Sequence, residues 1–253
     1  MTRVLPGLLA VVAFAQAPPE VRFLCFAPSP YTQRHDAMRA GLGIHLLLEK
    51  LIADHKLPLR TTFYDGARAL DSAEAAKRLV RGARVLVIGG STWAQGSAYY
   101  LRRFFEFVDT EPLAGVSVTA WATAGGAHTG GEVAIGDIFR SAMGMGAQVF
   151  SLGQKFMVFT TDEHPGAQEG RFAPLDGWYM DQFARTIAVT ALAGSDPARA
   201  AELSKQLATS PQYWNLLPKD EAPLAQYLPL LQRLSAAADA QSQEYKDLLK
   251  TVR

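Results

Sequence analysis

Residues 84–106 read RVLVIGGSTWAQGSAYYLRRFFE. Arg84 to Gly89 is short, almost wholly apolar and rich in Val and Ile, the composition of a strand buried on both faces of a parallel sheet. The run is expected to stop at Gly89-Gly90. Ser91 to Ser97 are small or hydroxylated except for Trp93, and they lead into Tyr99–Phe107, where Tyr100, Leu101, Phe104 and Phe105 recur at helical spacing. The unit is therefore strand, loop, helix. A second unit follows: Val116–Trp121 as strand, ATAGGAHTGGE (residues 122–132) as a glycine-rich loop, and Val133–Met143 as helix. In an open parallel sheet, loops and helix N-termini converge at the carboxyl ends of the strands with unpaired N–H groups, so two such loops side by side make a ligand cleft.

The same alternation extends in both directions. Val21–Ala27 reads as the first strand and Asp36–His55 as the first helix, with Met38, Leu42, Leu46, Leu47 and Ile52 at the required spacing. Leu59–Tyr64 is a second strand. Ser72–Arg81 is a helix begun by Asp71 or Ser72 as cap, Ala147–Leu152 a fifth strand and Leu175–Leu192 a closing helix. Gln154–Pro174, which carries Thr160, Thr161, Asp162, His164 and Arg171, reads as a long loop before that helix. This order predicts a three-layer α/β domain over residues 21–193, a doubly wound sheet of five parallel strands with its ligand at the switch point between the first and third strands. From Ser195 the composition shifts to Ala, Gln, Leu and Lys; residues 195–253 are expected to form a helical C-terminal extension, its first helix begun by Asp196-Pro197.

With 253 residues, 49% of them hydrophobic, the chain can bury one sizeable core and still carry such an appendage. A formal net charge of +1 and the lack of any Lys/Arg cluster argue against nucleic acid as a partner. Residues 1–17 have the make-up of a signal peptide: a basic Met1-Thr2-Arg3, an apolar Val4–Phe14 and a small-x-small site at Ala13-Phe14-Ala15. Periplasmic or secreted location, with no membrane span after cleavage, is the expectation. Cys25, the single cysteine, lies in an apolar strand, which excludes an intramolecular disulfide and a sulfur-built zinc site. No H-E-x-x-H frame or i,i+4 histidine pair points to a metal. Gly89-Gly90-Ser91-Thr92-Trp93 lacks the last glycine of a hydrolase nucleophile elbow.

Residues 84–106 and 113–154 resemble the flavodoxin-like NAD(P)H:quinone oxidoreductases of the WrbA type. That family carries G-T-P-T-R-[FY]-G-N in the first loop and S-T-G-T-x-H-G-G-x-E, or a shorter glycine-rich version, in the second. This chain has G-G-S-T-W-A-Q-G and A-T-A-G-G-A-H-T-G-G-E, with Thr92, Gly125, His128, Gly130 and Glu132 matching. The resemblance covers roughly residues 21–193 and implies a flavodoxin-like fold, FMN as cofactor, NAD(P)H and a quinone as substrates, and assembly into homo-oligomers.

Carried onto this sequence, the resemblance gives Ser29, Tyr31, Thr32, Gln33 and Arg34 as the FMN phosphate loop. Arg34 stands ready to offset the N–H lost at Pro30 and the glycine replaced by Thr32. Thr92, Trp93 and Ala94 lie on one side of the flavin ring, Thr123, Ala124, Gly125 and Gly126 on the other, and His128 is the catalytic proton donor or anion stabiliser. Two alternatives stay open. One is a flavin-free binding or structural module, suggested by the altered phosphate loop and by Gly144-Met145-Gly146 where the family has His-His-Gly. The other is a ThuA-type, amidotransferase-like carbohydrate domain, whose R-H-[DE]-S-[IM] opening is similar to Arg34-His35-Asp36-Ala37-Met38.

Overall fold

The computed structural model describes residues 17–26, 36–66, 70, 72–93, 96–97, 99–124, 130–152, 157–160 and 174–217. In chain order the elements are β1 (Glu20–Phe26), α1 (Asp36–His55), β2 (Arg60–Asp65), α2 (Ala73–Val80), β3 (Val85–Trp93), β4 (Gly96–Ser97), α3 (Tyr99–Val108), β5 (Ser117–Ala124), α4 (Gly131–Gly144), β6 (Gln148–Val149), β7 (Met157–Thr160), α5 (Pro174–Ala193), α6 (Pro197–Thr209) and a 3-10 turn at Trp214–Leu216. The sheet runs β2-β1-β3-β5, and all of these neighbours are parallel. The outer position beside β5 is shared: β6 pairs with its first residues and β7 with Trp121 to Ala124. This is the five-position flavodoxin-like order, whose switch point lies between β1 and β3.

Side-chain alternation sorts the core into two layers. Val21, Phe23 and Cys25 of β1, with Val85 and Val87 of β3, pack against α1 and α5; Leu24, Phe26, Leu86 and Ile88 pack against α2, α3 and α4. Strands buried on both faces explain why their sequence is a continuous apolar run rather than an alternating one. Helix α2 shows how local sequence fixes an element. Its Ser72 cap accepts from the Ala75 N–H at 3.1 Å, and Arg22 of β1 reaches across to donate to the Arg78, Leu79 and Arg81 carbonyls at its other end. The Arg22 guanidinium also pairs with Glu20, so the amino edge of the sheet is tied to α2.

Three expectations are corrected. β5 does not end at Trp121 but runs on to Ala124, so Ala122, Thr123 and Ala124, read as loop, are paired strand residues. β3 does not stop at Gly89-Gly90 but continues to Trp93, with Gly90 paired to Ala122 and Ser91 to Thr123, and then turns back antiparallel through β4. The glycines are there because neighbours press on them. A Cβ on Gly89 would lie 2.0 Å from the Trp121 ring, and one on Gly90 would lie 2.4 Å from the Phe26 carbonyl oxygen. The single fifth strand expected at Ala147–Leu152 is instead split, because Met157–Thr160, read as loop, is the strand β7. Its Met-Val-Phe-Thr composition suits a strand, and the polar Gly153-Gln154-Lys155 stretch hid it by interrupting the apolar pattern.

Past α5 the chain folds back. Asp196 caps α6 by accepting from the Arg199 N–H at 2.9 Å, with Pro197 in the first turn. Helix α6 lies on α5, held by Arg185. This buried guanidinium donates to the Leu207 and Pro211 carbonyls and the Ser210 hydroxyl at 2.6–2.7 Å and pairs with Asp181 at 3.2 Å. No helix among the described residues is long and apolar enough to cross a membrane.

Candidate functional site

The carboxyl edge of the sheet is built by the ends of β1, β3 and β5, which lie side by side in that order. The β3–β5 register sets Ser91 directly opposite Thr123. Both continue the alternating series that faces α1, after Gly89 on β3 and Trp121 on β5. The Thr123 hydroxyl donates to the Ser91 hydroxyl at 3.5 Å; Thr123 is buried, while Ser91 and the following Thr92 are half-buried. Beyond this pair β3 departs from the sheet in a short hairpin, Thr92 opposite Ser97 and Trp93 opposite Gly96, which packs against α4. Adjacent strand ends therefore carry neighbouring hydroxyls.

Helix α1 packs beside these strands. Trp121 of β5 is fully buried, and its indole N–H donates to the Ala37 carbonyl in the first turn of α1 at 3.1 Å. Gly41, one turn on, faces the same ring: a Cβ there would come within 2.5 Å of it. The indole thus lies between a glycine of α1 and a glycine of β3. On the opposite side, α4 is preceded by its cap residue Gly130, whose φ of 95° lies in the left-handed region that glycine adopts freely. It opens with an acidic residue, Glu132, in its first turn.

Of the residues singled out from the sequence, Thr92, Trp93, Thr123 and Ala124 lie on these two strand ends. Trp93 is placed by its backbone pairing with Gly96, and Ala124 is the last residue of β5, paired with Thr160 of β7. Ser29, Tyr31, Thr32, Gln33, Arg34, Ala94, Gly125, Gly126 and His128 lie outside the described residues. The first five immediately precede α1 in sequence, and the others follow β3 and β5 directly. Sequence reasoning passed over Ser91 as a binding residue and did not single out Trp121. Ser91 had a signal, since continuing the alternation through the glycines puts it on the same face as Thr123. Trp121 had none, because nothing in the order of residues shows that Gly41 and Gly89 meet one ring.

The donor set fits the heteroatom-rich edge of a flavin ring. A hydroxyl both donates and accepts, so Ser91, Thr92 and Thr123 can meet ring carbonyls and N–H groups alike. A helix start beside them fits a phosphate group. Among the described residues no group of three or more His, Cys, Asp or Glu side chains is arranged to hold a metal ion.

No family model matches the chain, and no curated protein matches it. Solved structures do. An oxidoreductase from Corynebacterium diphtheriae superposes with a TM-score of 0.51 at 14% identity, covering 68% of this chain and 95% of that one. Flavodoxin 1 from Bacillus cereus matches at 12% identity over 68% and 97% of the two chains, with a TM-score of 0.46. A flavodoxin, WrbA-like protein from Agrobacterium tumefaciens matches at 11% identity over 74% and 98%, with a TM-score of 0.42. At these identities the likeness is one of fold alone. The flavodoxin-like fold is given by the strand order itself.

Proposed function

We propose that this protein is a flavin-dependent oxidoreductase that binds FMN at the carboxyl edge of the sheet and reduces quinones with NAD(P)H. The observation that carries the reading is the hydrogen-bonded Ser91–Thr123 pair on adjacent strand ends, one strand from the switch point and beside the start of α1. Bound there, FMN would supply hydride transfer between a nicotinamide and an acceptor.

The protein's part is to bind and orient. Ser29, Tyr31, Thr32, Gln33 and Arg34, together with the start of α1, would hold the phosphate. Thr92, Trp93 and Ala94 with Ser91, and Thr123 to Gly126, would hold the ring, and His128 would hold a proton or stabilise negative charge beside it. The WrbA-type resemblance of the loop sequences supports the nicotinamide and quinone assignment. It also supports a homo-oligomer as the working form. The N-terminal pattern supports export with removal of the first residues; mass spectrometry of protein from the native host should find Gln16 or a nearby residue as the N-terminus, and an intact Met1 would reject that part.

The direct test is titration of the purified protein with FMN, followed by absorbance shift and fluorescence. Consumption of NADH or NADPH with benzoquinone is then measured. FMN should bind in preference to FAD, because one phosphate loop stands alone with no second pyrophosphate motif. His128→Ala should leave FMN affinity nearly intact but slow reduction. Saturating FMN with no spectral change would eliminate the oxidoreductase and leave the flavin-free module.

A further inference from the structure

Trp121 joins three elements through a single side chain. Its backbone belongs to β5, its ring lies on Gly89 of β3 and its N–H is bonded to Ala37 of α1, a partner 84 positions away in the chain. The contacts are specific in shape. Ala37 and Gly41 are one turn apart and so share a stripe of α1. A Cβ on either flanking glycine would penetrate the ring, at 2.5 Å from Gly41 and 2.0 Å from Gly89. An apolar side chain of the same bulk would fill this space but would let α1 slide or rotate over it. The indole N–H removes that freedom, because a buried donor has one good partner and leaving it unpaired is costly.

The location gives this joint its importance. Thr123, the next residue of β5 on the same face, is ~7 Å from Trp121 along the strand, and it is bonded to Ser91. In the other direction Ala37 is the second residue of α1. The anchor therefore lies between the hydroxyls that would meet a flavin ring and the helix start that would meet its phosphate.

We propose that Trp121 is a positioning residue for flavin mononucleotide: it fixes the start of α1 relative to the ends of β3 and β5, so that ring and phosphate are met together. The proposal rests on the flavin reading above. It predicts a selective effect, because riboflavin has the ring without the phosphate. A slip of α1 weakens contacts to FMN that riboflavin never makes.

The test is Trp121→Phe, which keeps a buried aromatic ring without the N–H, in the full chain. Dissociation constants for FMN and for riboflavin are measured by flavin fluorescence. FMN affinity should fall about tenfold, the loss of about one charge-assisted hydrogen bond, while riboflavin affinity stays within about twofold. Leu48→Ala, a core change further along α1, should lower stability without changing the FMN-to-riboflavin ratio. Equal losses for both ligands, or no loss in a folded variant, would overturn the proposal. Wild-type protein that binds neither ligand would instead defeat the flavin reading itself. Should Trp121→Phe not fold, the indole N–H resonance of the wild type decides: FMN should shift it and slow its exchange, and riboflavin should not. An unchanged resonance at saturating FMN would overturn the proposal.

Discussion

Lowering the pH should unfold this protein through His45. The side chain is fully buried in α1, edge-on to Phe23 at a ring separation of 4.7 Å and 5.9 Å from Phe63. Neither ring nitrogen has a hydrogen-bond partner among the described residues. Burial in this apolar cluster disfavours the charged imidazolium and pushes the pKa down from 6.5 to about 3. In the unfolded chain the ring titrates near its ordinary value, so below pH ~6.5 the unfolded state binds a proton that the folded state refuses. The stabilisation is therefore complete above pH ~6.5 and is lost as the pH falls toward 3, at up to about 1.4 kcal/mol per unit. At pH 4 the loss from this one group is about 3 kcal/mol, a large part of a typical domain stability of about 5–15 kcal/mol. The assay is urea unfolding by circular dichroism at pH 7.5, 5.5 and 4, for the wild type and for His45→Leu, which is close in volume and has nothing to protonate. The carboxylates titrate alike in both proteins and cancel in the difference. His45→Leu should be at least as stable as the wild type at pH 7.5, because two unsatisfied nitrogens are gone, and its advantage should widen by about 3 kcal/mol at pH 4. Parallel loss of stability in the two proteins would refute the reasoning.

Other substitutions test the packing and the strand-end hydroxyls. Gly89→Ala drives a methyl group into the Trp121 ring, which Gly41 blocks from behind. It should cost about 3 kcal/mol or more in chemical denaturation, with partial recovery when combined with Trp121→Leu. Arg185→Ala leaves Asp181 buried without its cation and removes the donor to three partners in the last turn of α6 and just after it. A loss of about 3–5 kcal/mol is expected, together with faster proteolytic cleavage between Thr209 and Leu217. Replacing Ser91 by Ala and Thr123 by Val together should lower affinity for FMN and riboflavin alike, by about 1–2 kcal/mol in flavin titration, since both ligands share the ring. Arg34→Ala should weaken FMN by about 1.5–3 kcal/mol and leave riboflavin unaffected.

The linear order of residues was enough for the fold because that order encodes local physics. Apolar runs such as VRFLCF (21–26) and VLVI (85–88) are too continuous for a sheet wetted on one face, so helices had to cover both sides. The helical spacing between the runs supplied those helices, and the Asp196-Pro197 start of α6 was equally explicit. Thr92, Thr123 and Ala124, by contrast, read as loop residues after the apolar runs, and only the pairing of the sheet makes them part of β3 and β5. What the tertiary structure alone decided were contacts between distant stretches of chain. Gly89-Gly90 looks like a strand end because glycine usually marks one. In the fold it is mid-strand, emptied of side chains by Trp121 and Phe26. His45 sits at an ordinary inward position of an amphipathic helix, and only the closing of Phe23 and Phe63 around it makes its charge so costly. Trp121 reads as one more apolar residue of β5. Its bond to Ala37 and its seat between Gly41 and Gly89 exist only once α1, β3 and β5 are brought together, because a ring's neighbours are set by three-dimensional proximity and not by spacing along the chain.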